Sequence, residues 1–329
     1  MAGAGWGRGI LAWAVACSII GLPMTTARGA GFPSPPVSHV STAPAPQPEP
    51  IPPRPGYRPE VGSVLEIASV SPQPATYGVG IIVTIRFSQS VPWALRREVV
   101  SRLKVKSSKP LGASGWAWRD SATVLFRPRK FWPAYAKVQI STRADYAVLG
   151  QVVQSGADGQ QPLRWGGSIN QTFRTGRSQI VNVNARTNRA AVVRDGQTIR
   201  TMGVSLGKPG WDTRSGIKVL MDKYYVKRMT SQSIGAEDEY VLDVPYAIRM
   251  TDSGEFIHAA PWAVNRIGRW NGSHGCTNLF TYDAQWLFNT RLYGDPVVTT
   301  GTNRYMTSDN GMGGPWNVDW SLWRTGRLR

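Results

Sequence analysis

The sequence predicts a mainly β protein: a β-sandwich, then a second β-rich domain carrying one short helix. Three observations carry that prediction. In "GVGIIVTIRFSQSV", Val79, Ile81, Val83, Ile85 and Phe87 recur at a period of two, opposite Gly80, Thr84, Arg86 and Ser88, as in a half-buried strand. The runs "GWAWRDSATVLFRP" and "AKVQIST" repeat this with turn residues between them, the spacing of a sandwich. Two hairpins follow, "AVVRDGQTIR", where Asp195-Gly196 supplies the positive φ of a two-residue turn, and "YAIRMTDSGEFIHAA", with His258 near the end of its returning strand.

The elements take their places in order. Arg8 precedes an apolar run from Ile10 to Met24, and small residues end near Gly29, so residues 1–29 read as a signal peptide. The run is shorter than the roughly 20 apolar residues a membrane span needs, and Gly21 and Pro23 interrupt it. Export to the periplasm or cell wall is therefore expected; lipidation at Cys17, within the degenerate lipoprotein signal "AVAC", is the alternative that would leave a membrane anchor. Residues 30–60 are proline-dominated, an extended and semi-rigid linker. His39 lies there and is assigned no role. The sandwich is assigned to 61–176, the second domain to 177–303 and a Trp-rich tail to 304–329. In "TYDAQWLFNTRLYGDP" Thr281 serves as cap, Ala284, Leu287, Phe288 and Arg291 share a helical face, and Gly294 and Pro296 end the helix. Trp316, Trp320 and Trp323 align on one helical face at spacings of four and three; the tail is expected to dock on a domain, with carbohydrate stacking as the alternative.

Charge narrows the partners. The chain has 38 Lys and Arg against 20 Asp and Glu, and the leader holds Arg8 and Arg28 and no acid, so the remainder carries +16. A basic surface outside the cytoplasm favours anionic cell-envelope polymers. The basic residues are scattered, and neither a recognition helix nor an aromatic RNA-binding signature occurs, so nucleic acid is not an expected partner.

The chemistry points to one cysteine. Beyond the leader the only thiol is Cys276, in "NGSHGCTNLF", which cannot form a disulfide within its own chain. The glycines and polar residues around it do not make an apolar site. It is expected on a loop between a strand and the helix, whose N-terminus modestly favours a thiolate. A thiol attacks a carbonyl readily only beside a base or a positive charge. His258 and His274 are the two candidates; side chains at i and i+2 of an extended loop point apart, which favours His258 on a neighbouring strand. Gly275 permits an unusual backbone, so its amide and that of Cys276 are expected to stabilise an oxyanion. A zinc site of His258, His274 and Cys276 lacks the paired cysteines usual in such sites. A papain-type protease would place cysteine before histidine, the reverse of the order here.

The stretch "FIHAAPWAVNRIGRWNGSHGCTN", with Ser273-His274-Gly275-Cys276-Thr277-Asn278, resembles the active-site signature of L,D-transpeptidases of the YkuD type, in their actinobacterial branch. "IASVSPQPATYGVGIIVTIRFSQSV" and "FRPRKFWP" are similar to the immunoglobulin-like domain that precedes the catalytic domain in that branch; one such unit fits here, where some relatives carry two. The resemblance implies crosslinking of peptidoglycan stem peptides, donor and acceptor, through a thioester, without cofactor or metal. It implies that Cys276 is the nucleophile and His258 the base, steadied by the Ala259 carbonyl; alanine stands at 259 where serine is frequent, and the backbone carbonyl survives the swap. It implies that Tyr240 lies on a lid and offers its hydroxyl to the oxyanion region, that Ser273, His274 and Asn278 shape the site, and that Trp262 lines it. Acylation by carbapenem-type inhibitors is implied too. A hydrolase passing the same acyl group to water, an L,D-carboxypeptidase, and a noncatalytic wall-binding protein are the alternatives; the His258 and Cys276 pair separates both enzymes from the third.

Overall fold

The computed structural model describes residues 63–153, 159–235 and 239–328, within a unit spanning Pro50–Arg329. The expected leader, the Pro-rich linker and Cys17 lie outside the described residues.

The first half contains two four-stranded sheets. One orders Ile67–Ser71, Val83–Phe87, Thr123–Pro128 and Ser114–Trp118; the other orders Thr76–Tyr77, Ile169–Thr175, Lys137–Thr142 and Lys104–Ser107. Ile85 and Leu125 from the first and Val138, Ile140 and Phe173 from the second share one buried core, because each strand presents alternate residues to it. A three-stranded ribbon of Ser63–Leu65, Gln160–Trp165 and Val148–Val153 adds Leu65 and Trp165.

The strand expected to start at Val79 starts at Val83 instead. Val79 and Ile81 are buried, yet this segment's backbone bonds lie outside any ladder: the Gly78 and Gly80 amides donate to the carbonyls of Tyr293 and Gly294, and Trp132 donates to the Val79 and Ile81 carbonyls. A Cβ on Gly78 would lie 2.2 Å from the Asp295 nitrogen, so glycine is what lets the two halves touch here.

The second half is built from a five-stranded sheet, ordered Gln197–Gly203, Arg189–Arg194, Gln179–Asn184, Pro296–Thr300 and Gly216–Val219, and a four-stranded sheet, ordered Lys223–Thr230, Val241–Arg249, Phe256–Ala259 and Thr277–Leu279. Val181, Val192 and Val297 of one sheet meet Ile248, Ile257 and Leu279 of the other, with Leu287 and Phe288 of the helix Thr281–Thr290. Both hairpins form, and Asp195 and Gly196 take φ values of 49° and 87°. Thr281 does not cap the helix: Phe280 occupies the cap position, without a side-chain bond.

The tail docks, but not as one helix. Trp316 sits in a 3-10 turn, Gly314–Asn317, and Trp320 and Trp323 on the helical turn Trp320–Trp323, with Val318 extended between them. Their rings nevertheless converge on Arg127, whose guanidinium carbon lies 5.0, 5.3 and 4.4 Å from the three ring centres and whose Nη2 donates to the Val318 carbonyl at 2.8 Å. Trp316 and Trp323 are buried, which leaves them no open face for a sugar. The Trp316 indole donates to Gly80 and Asn317 bonds both backbone groups of Ile217, so the tail fastens the sandwich to the strand Gly216–Val219. A desolvated cation over three indoles is worth about 2 kcal/mol or more, and its hydrogen bond adds to that. Arg127→Ala is expected to lower unfolding stability by about 3 kcal/mol, read by denaturant titration, with a red shift of tryptophan emission.

Candidate active site

His258 stands on the buried strand Phe256–Ala259, which runs parallel to Thr277–Leu279, with His258 opposite Asn278. Cys276 immediately precedes that second strand. The strand therefore separates it from the helix, and the expected help from the helix N-terminus does not reach the thiol. Cys276 is a free cysteine, half-buried and open to a cleft, with its side chain packed against Val244, Ala247 and Phe256.

This surround sets the protonation of the pair. Burial pushes the Cys276 thiol up to about 11; a backbone bond from Phe256 opposes that, Glu255 adds to it and Lys218 offsets it. Burial pushes His258 down to about 4, against the raising effect of its bond to Ala259. Its Nδ1 lies 2.8 Å from the Ala259 carbonyl, so Nδ1–H donates there and Nε2 keeps its lone pair for the cleft. Both shifts favour the uncharged forms, thiol and neutral imidazole, over an ion pair.

His258 has a consequence for stability. Its folded value lies below the ordinary 6.5, so the unfolded chain takes up that proton first and stability falls as pH drops from about 6.5 to 4, by about 3 kcal/mol at full extent. Asp295, raised by burial to about 6, acts with the opposite sign but is common to native and variant chains. His258→Gln is expected to lose less stability than the native chain between pH 7 and pH 4, measured by denaturant titration at each pH.

A cleft of about 880 Å³ collects Tyr240, His258, Trp262, Ser273, His274, Cys276 and Asn278 from the sequence prediction. The Trp262 ring is 39% exposed and stacks at 6.1 Å over His258. Tyr240 stacks at 5.3 Å on His274, and the Trp211 ring meets that imidazole edge-on at 5.2 Å. His274 is thus in contact with two aromatics. Asn278 is buried, and its backbone exchanges bonds with Ser205.

Gly275 departs from expectation. Gly275 has φ +113°, the region that favours glycine. Its amide, however, donates to the Ser273 hydroxyl at 3.1 Å, and that hydroxyl donates to the Cys276 carbonyl at 2.6 Å. The Gly275 amide is engaged inside the loop rather than aimed at an oxyanion. The Ser273 hydroxyl closes the turn at the wall of the cleft. The Gly275 carbonyl accepts from Thr213 Oγ1 at 2.8 Å, and that hydroxyl accepts from the Gly207 amide.

Sequence reasoning missed the groups beneath the loop. Lys218, fully buried, lies 2.7 Å from Glu255 Oε2, and Arg214 Nη1 lies 2.8 Å from Glu255 Oε1. A lysine inside the apolar strand "GIKV" and a glutamate opening the buried strand "FIHA" were the available signals. Five basic residues, Lys208, Lys227, Arg228, Arg249 and Arg266, line the cleft against one acid, Asp252. Among the described residues no three His, Cys, Asp or Glu side chains come together as metal ligands. No described helix is long and apolar enough to cross a membrane.

Comparison with known proteins places this geometry. Residues 178–299 match the L,D-transpeptidase catalytic domain and residues 61–146 a bacterial Ig domain. L,D-transpeptidase 1 of Mycobacterium tuberculosis is 34% identical over 241 residues, 71% of this chain and 85% of the relative. The chain belongs to the L,D-transpeptidase family. L,D-transpeptidase 5 of the same organism is 31% identical over 255 residues, 75% of this chain but only 53% of that longer relative. Among solved structures, an L,D-transpeptidase, LdtMt1, in complex with imipenem superposes with TM-score 0.58 at 30% identity, covering 73% of this chain and all of the other. L,D-transpeptidase 3 of Mycobacterium tuberculosis, in complex with a faropenem-derived adduct, gives 0.57 at 28%, covering 72% and 98%. The mainly β architecture, an Ig-like domain followed by a YkuD-type domain, is that of these L,D-transpeptidase structures.

Proposed function

We propose that the chain crosslinks peptidoglycan stem peptides through a thioester on Cys276. As Sγ attacks the carbonyl of the diamino acid at the third stem position, its proton passes to His258 Nε2. Collapse of the tetrahedral intermediate breaks the bond to the terminal D-alanine, which leaves with that proton. The side-chain amine of a neighbouring stem then attacks the thioester, a proton from this amine passing through His258 to the departing thiolate. The observation that carries this reading is the pairing of a carbonyl-oriented His258 with a free thiol immediately before the neighbouring strand, in one cleft. Because the resting pair is uncharged, proton transfer accompanies attack rather than preceding it. With the Gly275 amide engaged, the Cys276 amide and the Tyr240 hydroxyl are the oxyanion donors in this proposal. Trp262 and Asn278 flank the substrate, and the cationic lining suits the carboxylates of a stem.

Residues 1–29 act as an export signal, 30–60 as a spacer, 61–176 as the Ig-like unit, 177–303 as the catalytic domain and 304–329 as its docked tail. No cofactor takes part. Carbapenems and related β-lactams acylate the same sulfur, a proposal supported by the two relatives whose structures contain imipenem and a faropenem-derived adduct. The test is mass spectrometry of products from a disaccharide-tetrapeptide. A crosslinked dimer with released D-alanine supports transfer. Tripeptide alone means hydrolysis, and unchanged substrate contradicts both.

A further inference from the structure

The Glu255 carboxylate is held from two sides. Lys218 Nζ lies 2.7 Å from Oε2, while Oε1 accepts from Arg214 Nη1 at 2.8 Å and from the Arg214 amide at 3.0 Å. Glu255 is 4% exposed and Lys218 0%. Lys218 comes from the five-stranded sheet and Glu255 from the approach to the four-stranded one, so the contact bridges the two sheets. Such a buried ion pair gives little net stability, because desolvating both charges offsets most of their attraction, and apolar replacements of similar volume are often neutral. Its position suggests another use.

Arg214 and Glu255 reach the cysteine loop through their chain neighbours. Thr213, beside Arg214, donates to the Gly275 carbonyl at 2.8 Å. Gly254, before Glu255, offers its carbonyl 3.9 Å from Cys276 Sγ, and Phe256, after it, bonds the thiol through its backbone. A Cβ on Gly275 would stand 4.0 Å from the Glu255 stem, so the glutamate forms the floor of the turn.

We propose that Glu255, clasped by Lys218 and Arg214, is a positioning residue for Cys276: the clasp fixes the turn before the nucleophile and the strand end beside it in one geometry, and its charge balance acts on the thiol. The inference rests on Cys276 being the nucleophile. At the thiol Glu255 opposes negative charge more than Lys218 supports it, so the field that favours the developing thiolate comes from the Lys218 end of the clasp and the carboxylate works against it. Removing Glu255 strengthens that field and removing Lys218 weakens it. The other ionisable groups near the thiol are His258 on its strand, His274 in its own loop, and Tyr240, Lys208, Lys227, Arg228, Arg249, Arg266 and Asp252 along the cleft. They are unchanged by either substitution.

The experiment measures imipenem acylation from pH 6 to pH 11 for the native chain, Glu255→Gln, Lys218→Met and the double variant Lys218→Met/Glu255→Leu, with thermal unfolding of each. The rise of rate with pH should move to lower pH in Glu255→Gln and to higher pH in Lys218→Met, with the latter at least tenfold slower at pH 7. A loss of packing alone would not move the two profiles in opposite directions. The double variant, which removes both charges together, should fold yet acylate about tenfold more slowly across the range. Unshifted profiles in the single variants, or a native rate in a folded double variant, would overturn the proposal while leaving Cys276 as nucleophile. No acylation of the native chain would instead overturn the functional reading, and this inference with it.

Discussion

Replacing Cys276 by alanine is expected to abolish the proposed crosslinking and to leave the chain folded. The side chain is half-buried at the mouth of the cleft, so loss of one sulfur removes few contacts, and a destabilisation of about 1 kcal/mol is expected. The chemical loss is complete, since no other cysteine occurs among the described residues and a serine or threonine hydroxyl in this cleft would lack the sulfur's nucleophilicity. Product analysis on a tetrapeptide stem, beside circular dichroism of the variant, checks both halves. Crosslinked product from a folded alanine variant would remove Cys276 from the mechanism.

His258→Gln is expected to slow acylation at neutral pH by a factor of a hundred or more. General-base assistance contributes roughly 10²–10⁴ in rate, and here the base must take a proton from a thiol held up at about 11. Activity of this variant should recover only as pH approaches that value, well above the free-thiol value of about 8.5, because burial rather than the histidine controls the thiol. His274→Ala should behave differently. Its imidazole contacts both Tyr240 and Trp211, so its loss is expected to loosen the loop without removing a base, and the variant should remain slow across the pH range. Acylation rates with imipenem from pH 6 to pH 11 distinguish the two. Alkaline recovery in the His274 variant, with none in the His258 variant, would exchange their roles.

The parts legible in the sequence are those encoded locally. Asp195-Gly196 fixes a turn by its own backbone preference, and the second hairpin follows from strand alternation around a short polar link. The histidine and cysteine could be paired because a histidine on a neighbouring strand can face a loop thiol, and the fold does set His258 one strand away. What was not legible depends on contacts between distant segments. Lys218 in a four-residue strand reads as a solvent-facing cation until Glu255 is seen opposite it. The bonds by which the Ser273 hydroxyl closes the turn are likewise invisible in the sequence. Val79 and Ile81 keep the strand periodicity, but their carbonyls accept from Trp132 of the same domain rather than within a ladder, while the Gly78 and Gly80 amides donate to Tyr293 and Gly294 of the other half. The raised thiol reflects Val244, Ala247 and Phe256, which come from two other strands and which no pattern around Cys276 announces.

The central claim is that Cys276 is the atom that becomes acylated. Incubating the native chain with imipenem, digesting with trypsin and mapping the mass increase tests it directly. One adduct per chain, confined to the peptide 270–291 and localised by fragmentation to Cys276, is the predicted result. An adduct on any other residue, or none on a chain shown to be folded, would contradict it.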